Sequence, residues 1–143
     1  MVVQVVAAIA AAFLARWFLG EREQPPMNFT GSKAYPLVAE FAGTFALAYV
    51  VLNVATAKGN AGNSFYGLAI GFTVFAMANT FGNISGGAFN PAVAFGASFL
   101  KVFAWKNIWI YLAGCFGGGL LAGLLFNYLN QDDHPVPPIE KEG

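Results

Sequence analysis

Asn90, Pro91 and Ala92, preceded by Ser85-Gly86-Gly87, form the stretch of this chain best suited to act on a small molecule. Ser-Gly-Gly is turn chemistry, and Asn is a favoured helix N-cap. Pro suits the first helical position, because the N–H it lacks would be unpaired there anyway. The run predicts a short helix starting at residue 91. Its chemistry is hydrogen-bond donation, since a helix start offers free N–H groups and the positive end of a dipole. Glu40 is the second candidate, a carboxylate near the start of an otherwise apolar run. It is either solvated at headgroup level or an acceptor for backbone N–H groups of a non-helical segment at membrane depth, and residues 83–90 read as such a segment. No nucleophile–base pair, metal-ligand spacing or phosphate loop accompanies these residues, so they point to no enzyme and no cofactor.

The elements that must position them are those of a membrane protein. Of 143 residues, 57% are hydrophobic and 10% charged, where a soluble domain averages about 25% charged. Mean hydropathy is +0.59. Formal net charge is zero, which gives nucleic acid no basic field to bind. Cys115 is the single cysteine, so no intramolecular disulfide forms among these residues, and its apolar setting reads as a packing position.

Four apolar runs are long enough to span: residues 2–20, 36–57, 65–81 and 108–129. A signal peptide competes for the first, but no Lys or Arg precedes it. Ala7, Ala8, Ala11, Ala12 and Ala15 recur there at helical spacing and would form a packing face. Pro25-Pro26 and Thr30-Gly31-Ser32 keep the following loop non-helical. Gly67 and Gly71 share a face of the third run, and Gly114/Gly118 and Gly119/Gly123 are GxxxG pairs that predict close backbone approach in the last. Trp105, Trp109 and Tyr111 at one end of that run, with Tyr128 at the other, read as aromatic belts. The helix expected over 91–100 is roughly 15 Å long, half a hydrocarbon core, which makes it re-entrant. A coupled transporter with a broken helix is a weaker reading, because ion coupling would have only Glu40 to work with. Residues 131–143 read as a disordered polar tail, with His134 solvated.

Taken together, these residues resemble the major intrinsic protein family of aquaporins and aquaglyceroporins. Ala39-Glu40-Phe41-Ala42-Gly43-Thr44 resembles the opening of a repeat in that family. Ile84-Ser85-Gly86-Gly87 followed by Asn90-Pro91-Ala92 and Phe95-Gly96 resembles its signature loop, and Gly114-Cys115-Phe116-Gly117-Gly118 its last helix, with Cys115 where the family usually has Pro. The resemblance implies an all-α integral membrane fold of about four transmembrane helices plus one re-entrant half-helix, a partial domain over 1–130. It matches helix three to the C-terminus of the family's six-helix plan, without the first signature loop, so the chain reads as truncated at its N-terminus.

The function the resemblance implies is a passive channel for water and small neutral solutes such as urea, glycerol, hydrogen peroxide or ammonia. The alternative is a non-conducting fragment that associates with full-length relatives. In such a channel Asn90, Pro91 and Ala92 line the pore and Asn90 donates to the passing solute. Ala78, Gly87 and Val93 fall at three of the four selectivity-filter positions. Val93 stands where most members carry Arg, which implies a wider, less polar filter; Val is also common at this place in the family's first repeat, where the filter reading would lapse. The resemblance gives Glu40 the role of supporting the loop from behind, and implies a homotetramer in a lipid bilayer. One feature opposes the family's usual topology. Arg16, Arg22, Lys33, Lys101 and Lys106 would lie on the non-cytoplasmic side and only Lys58 and Lys141 on the cytoplasmic, five against two.

Overall fold

The structure, a computed structural model, describes residues 1–131. Apart from Gln131, the polar tail expected over 131–143, with His134, lies outside the described residues. The chain order is α1 (Val2–Leu19), α2 (Ala34–Ala55), α3 (Tyr66–Ser85), the short α4 (Pro91–Phe99) and α5 (Ile108–Leu129). Single 3₁₀ turns at Lys58–Asn60 and Trp105–Asn107 join α2 to α3 and lead into α5. The four long helices are long and apolar enough to cross a membrane, whereas the nine residues of α4 reach about half-way at 1.5 Å each.

Among the boundaries that differ from expectation, two have a local physical reason. The second helix starts at Ala34, ahead of Pro36. A proline within the first turn costs little, because none of the first four N–H groups has an intrahelical partner. The third continues past 81 to Ser85, so the non-helical stretch is 86–90 rather than 83–90. It stops where Gly86 takes a left-handed conformation (φ 92°) and its N–H closes on the Gly82 carbonyl at 2.9 Å.

Small residues set which helices meet. Helix α2 packs between α5 and α3, and α1 packs on α4, which also touches α5. Gly114 and Gly118 bring α5 onto the α2 backbone, where a Cβ on Gly118 would lie 2.3 Å from the Phe41 carbonyl oxygen. Gly96 of α4 lies against Ala8, Ala12 is buried and Ala15 half-buried, so part of the alanine face of α1 packs, while Ala7 and Ala11 stay exposed. The other glycine pairs differ from expectation: a Cβ at Gly67, Gly71, Gly119 or Gly123 would meet nothing within 4 Å.

One end of the bundle is tied by its loops. Met27 and Phe103 form a parallel bridge, with the Met27 N–H donating to Val102 at 2.7 Å and the Ala104 N–H donating to Met27 at 3.1 Å. Glu21 pairs with Arg16 and, at 2.8 Å, with Lys101. Tyr111 corrects the belt reading. It is fully buried and stacked on Phe103, centroids 4.5 Å apart, while Trp105, Trp109 and Tyr128 remain exposed.

Candidate functional site: the loop between α3 and α4

Helix α2 buries a stripe at helical spacing, namely Pro36, Ala39, Glu40, Gly43 and Thr44. Helix α5 opposes it with Ile110, Tyr111, Gly114, Cys115, Gly118 and Ala122. Glu40 lies in this seam with none of its surface exposed. Its Oε1 accepts from Ser85 Oγ at 2.6 Å and from the Ala88 N–H at 3.0 Å, and its Oε2 accepts from the Phe89 N–H at 2.7 Å. The Cys115 thiol approaches the same Oε2 at 3.8 Å. These contacts decide between the two readings of Glu40: the carboxylate is not solvated but takes the N–H groups of a buried loop, which would otherwise be unpaired.

The loop turns tightly. Gly86, Gly87 and Phe89 all have positive φ, 92°, 67° and 48°. The left-handed region costs glycine little and phenylalanine more. Phe89 is held there by its N–H bond to Glu40 and by its ring, which occupies the space a side chain at Gly43 would need: a Cβ there would fall 2.2 Å from the ring. The Gly87 N–H donates to Ser85 Oγ at 3.1 Å. Ser85 is therefore bonded to both the carboxylate below and the loop above.

Asn90 leaves the loop in an extended conformation, and its Oδ1 accepts from the Ala92 N–H at 2.8 Å, with Pro91 in the first helical turn. That cap fixes the amide orientation, because only the oxygen can accept from an N–H. The Nδ2 donors must then point away from the cap, and among the described residues no hydrogen bond uses them.

The site residues expected from sequence are not all joined. Glu40 is bonded to Ser85, Ala88 and Phe89, and the Asn90 cap on Ala92 follows directly along the chain as a separate bond; Asn90 and Pro91 are half-buried and Ala92 buried. Gly87 is half-buried within the loop, Val93 is 50% exposed on α4, and Ala78 is exposed on α3 about two turns before the loop. Tyr111 was not expected here. Its hydroxyl donates to the Ser85 carbonyl at 2.6 Å. Its register was readable, because it stands three and seven residues before Gly114 and Gly118 and so shares their face, but its nearness to two tryptophans favoured the belt. Outside the spans, the hydrogen bond from Lys101 and the charge of Arg16 hold the Glu21 carboxyl below its ordinary range.

Residues 1–126 match the family model for the major intrinsic protein. The chain is similar to Aquaporin NIP1-1 of Oryza sativa subsp. japonica, with 33% identity over 96% of the chain and 48% of that relative. It is 38% identical to Probable aquaporin TIP3-2 of Arabidopsis thaliana over 96% of the chain and 52% of the relative. Aquaporin AqpM of Methanothermobacter marburgensis is 38% identical over 67% of the chain and 41% of its own length. The chain thus spans about half the length of the curated relatives it matches. With the family model covering most of the chain and four membrane-length helices in the fold, the chain belongs to the major intrinsic protein family and is an integral, multi-pass membrane protein.

Proposed function

We propose that the chain contributes a pore-lining half to a passive channel for water and small neutral solutes, and that its activity is permeation rather than catalysis. The observation that carries this is the fixed cap at Asn90. Among the described residues it leaves both amide donors without a hydrogen bond at the start of a half-length helix, where non-helical backbone is tolerated only against protein or a water-filled cavity. Donors held in place for a passing oxygen, beside the positive end of a helix dipole, suit neutral solutes and disfavour cations. In this reading Asn90, Pro91 and Ala92 line the pore, and Glu40 keeps the loop in place. Ala78, Gly87 and Val93 form the part of the filter this chain supplies, and Val93 widens it and removes the usual charge. Residues 1–130 act as one partial channel domain, as a homotetramer in the bilayer.

Stopped-flow swelling of proteoliposomes tests this. Water permeability should exceed that of empty vesicles, and Asn90→Ala should lower it. Permeability equal to that of empty vesicles refutes conduction by these residues alone. The Asn90 Nδ2 donors, unused among the described residues, also favour a second reading, in which these residues do not conduct and instead associate with full-length relatives. Co-purification with such a relative, together with inert vesicles, supports that reading.

A further inference from the structure

Glu40 holds the loop from α2, and Tyr111 meets it from α5. Ser85 is the last residue of α3, so its carbonyl has no intrahelical partner. The Tyr111 hydroxyl donates to that carbonyl at 2.6 Å from a fully buried side chain. The phenol ring cannot swing away. It stacks on Phe103 with 4.5 Å between centroids and 12° between planes, and Phe29 lies 6.4 Å off. Phe103 in turn covers Gly86, where a Cβ would fall 2.3 Å from its ring, and the Met27 bridge anchors the Phe103 backbone.

Ser85 is therefore gripped on both sides. Its hydroxyl is bonded to Glu40 and to the Gly87 N–H, and its carbonyl to Tyr111. The next residue begins the left-handed turn, and Asn90 follows five residues after Ser85. We infer that Tyr111 is a positioning residue for the channel function proposed above: its hydroxyl fixes the exit of α3 and, through it, the placement of Gly87 and Asn90. A buried phenol needs an acceptor and a buried carbonyl needs a donor, so each satisfies the other.

Hydrogen–deuterium exchange on the full chain in lipid nanodiscs tests the inference without requiring conduction. Tyr111→Phe keeps the stack on Phe103 and removes only the donor. Exchange at residues 86–90 should rise about fivefold to tenfold, with the middle of α5 unchanged. Tyr128→Phe, exposed at the far end of the same helix, should change neither. Phe103→Leu, which loosens the stack and leaves the hydroxyl, should raise exchange at the same loop residues. Loop exchange that stays at the wild-type rate in Tyr111→Phe while Glu40→Gln accelerates it overturns the inference. An acceleration spread evenly over α2 and α5 also overturns it, because Tyr111 would then act only through core packing. In conducting vesicles, Tyr111→Phe should shift the ratio of glycerol to water permeability, and an unchanged ratio counts against the inference. Vesicles that pass no water refute the channel reading and leave the exchange result to judge Tyr111.

Discussion

Glu40 accepts from Ser85 Oγ and from the Ala88 and Phe89 N–H groups, with the Cys115 thiol at 3.8 Å, and none of its surface is exposed. In Glu40→Gln the amide nitrogen would face a donor, and the charge that strengthens the remaining bonds would be gone. The expected loss is about 3 kcal/mol, read as a fall in the thermal unfolding midpoint in detergent. Asn90→Ala removes a cap and should cost about 1 kcal/mol in the same assay. A fall in permeability larger than that modest loss explains would assign the Nδ2 donors to the solute. At this scale the sequence was partly legible. Asn90 announced its cap by residue type, and Pro91 marked the helix start. Glu40 left two readings open, because burial of a carboxylate depends on partners forty-five and more residues away. Tyr111 was misread, because an aromatic near a helix end fits a belt and a core equally well until the opposing helix is in place.

Between elements, the glycines separate cleanly. Gly118 stands against backbone atoms of α2, with the Phe45 nitrogen 2.9 Å from where its Cβ would be. Backbone cannot rotate out of the way as a side chain can. Gly118→Ala should force α2 and α5 apart and cost about 1 to 3 kcal/mol. Gly119→Ala, one residue on with open space beside it, should leave the unfolding midpoint unchanged or raise it. Sequence alone did not distinguish these pairs, since a GxxxG spacing gives a face and not the neighbour it meets. Helix existence was far easier to read. The last span was expected over 108–129 and runs Ile108–Leu129, because bilayer thickness sets length and few polar residues interrupt it. Ends were harder where polar residues find tertiary partners, and α3 outran expectation because Ser85 bonds to Glu40.

At the scale of the molecule, one end carries Arg16, Arg22, Lys33, Lys101 and Lys106 against Glu21 and Glu23, and the described residues of the other carry Lys58. Cations near span ends favour the cytoplasmic side. Expressed as these 143 residues, the chain should place the Lys106 end in the cytoplasm. Labelling of single cysteines introduced at Lys58 and Lys106 with an impermeant thiol reagent checks this, in a background of Cys115→Ala. The same end should be acid-sensitive. Lys101 and Arg16 lower the folded-state affinity of Glu21 for a proton, so the tie between α1 and the segment after α4 is fully present above the ordinary carboxylate range. It is lost as pH falls through the lowered value. Measured against the intrinsic exchange rate at each pH, protection at residues 100–103 should fall in acid, and in Glu21→Gln it should be low across the whole range.

The fit of the Phe89 ring into the notch at Gly43 has a consequence for how this sequence can change over time. Neither position is free to vary alone: a methyl at 43 evicts the ring, and a smaller residue at 89 leaves a void where the ring was. The two are joined by epistasis across forty-six positions of chain. A lineage that gained alanine at 43 would be under pressure to shrink residue 89. A screen for second-site suppressors of Gly43→Ala should return substitutions such as Phe89→Leu, each harmful by itself and tolerated together.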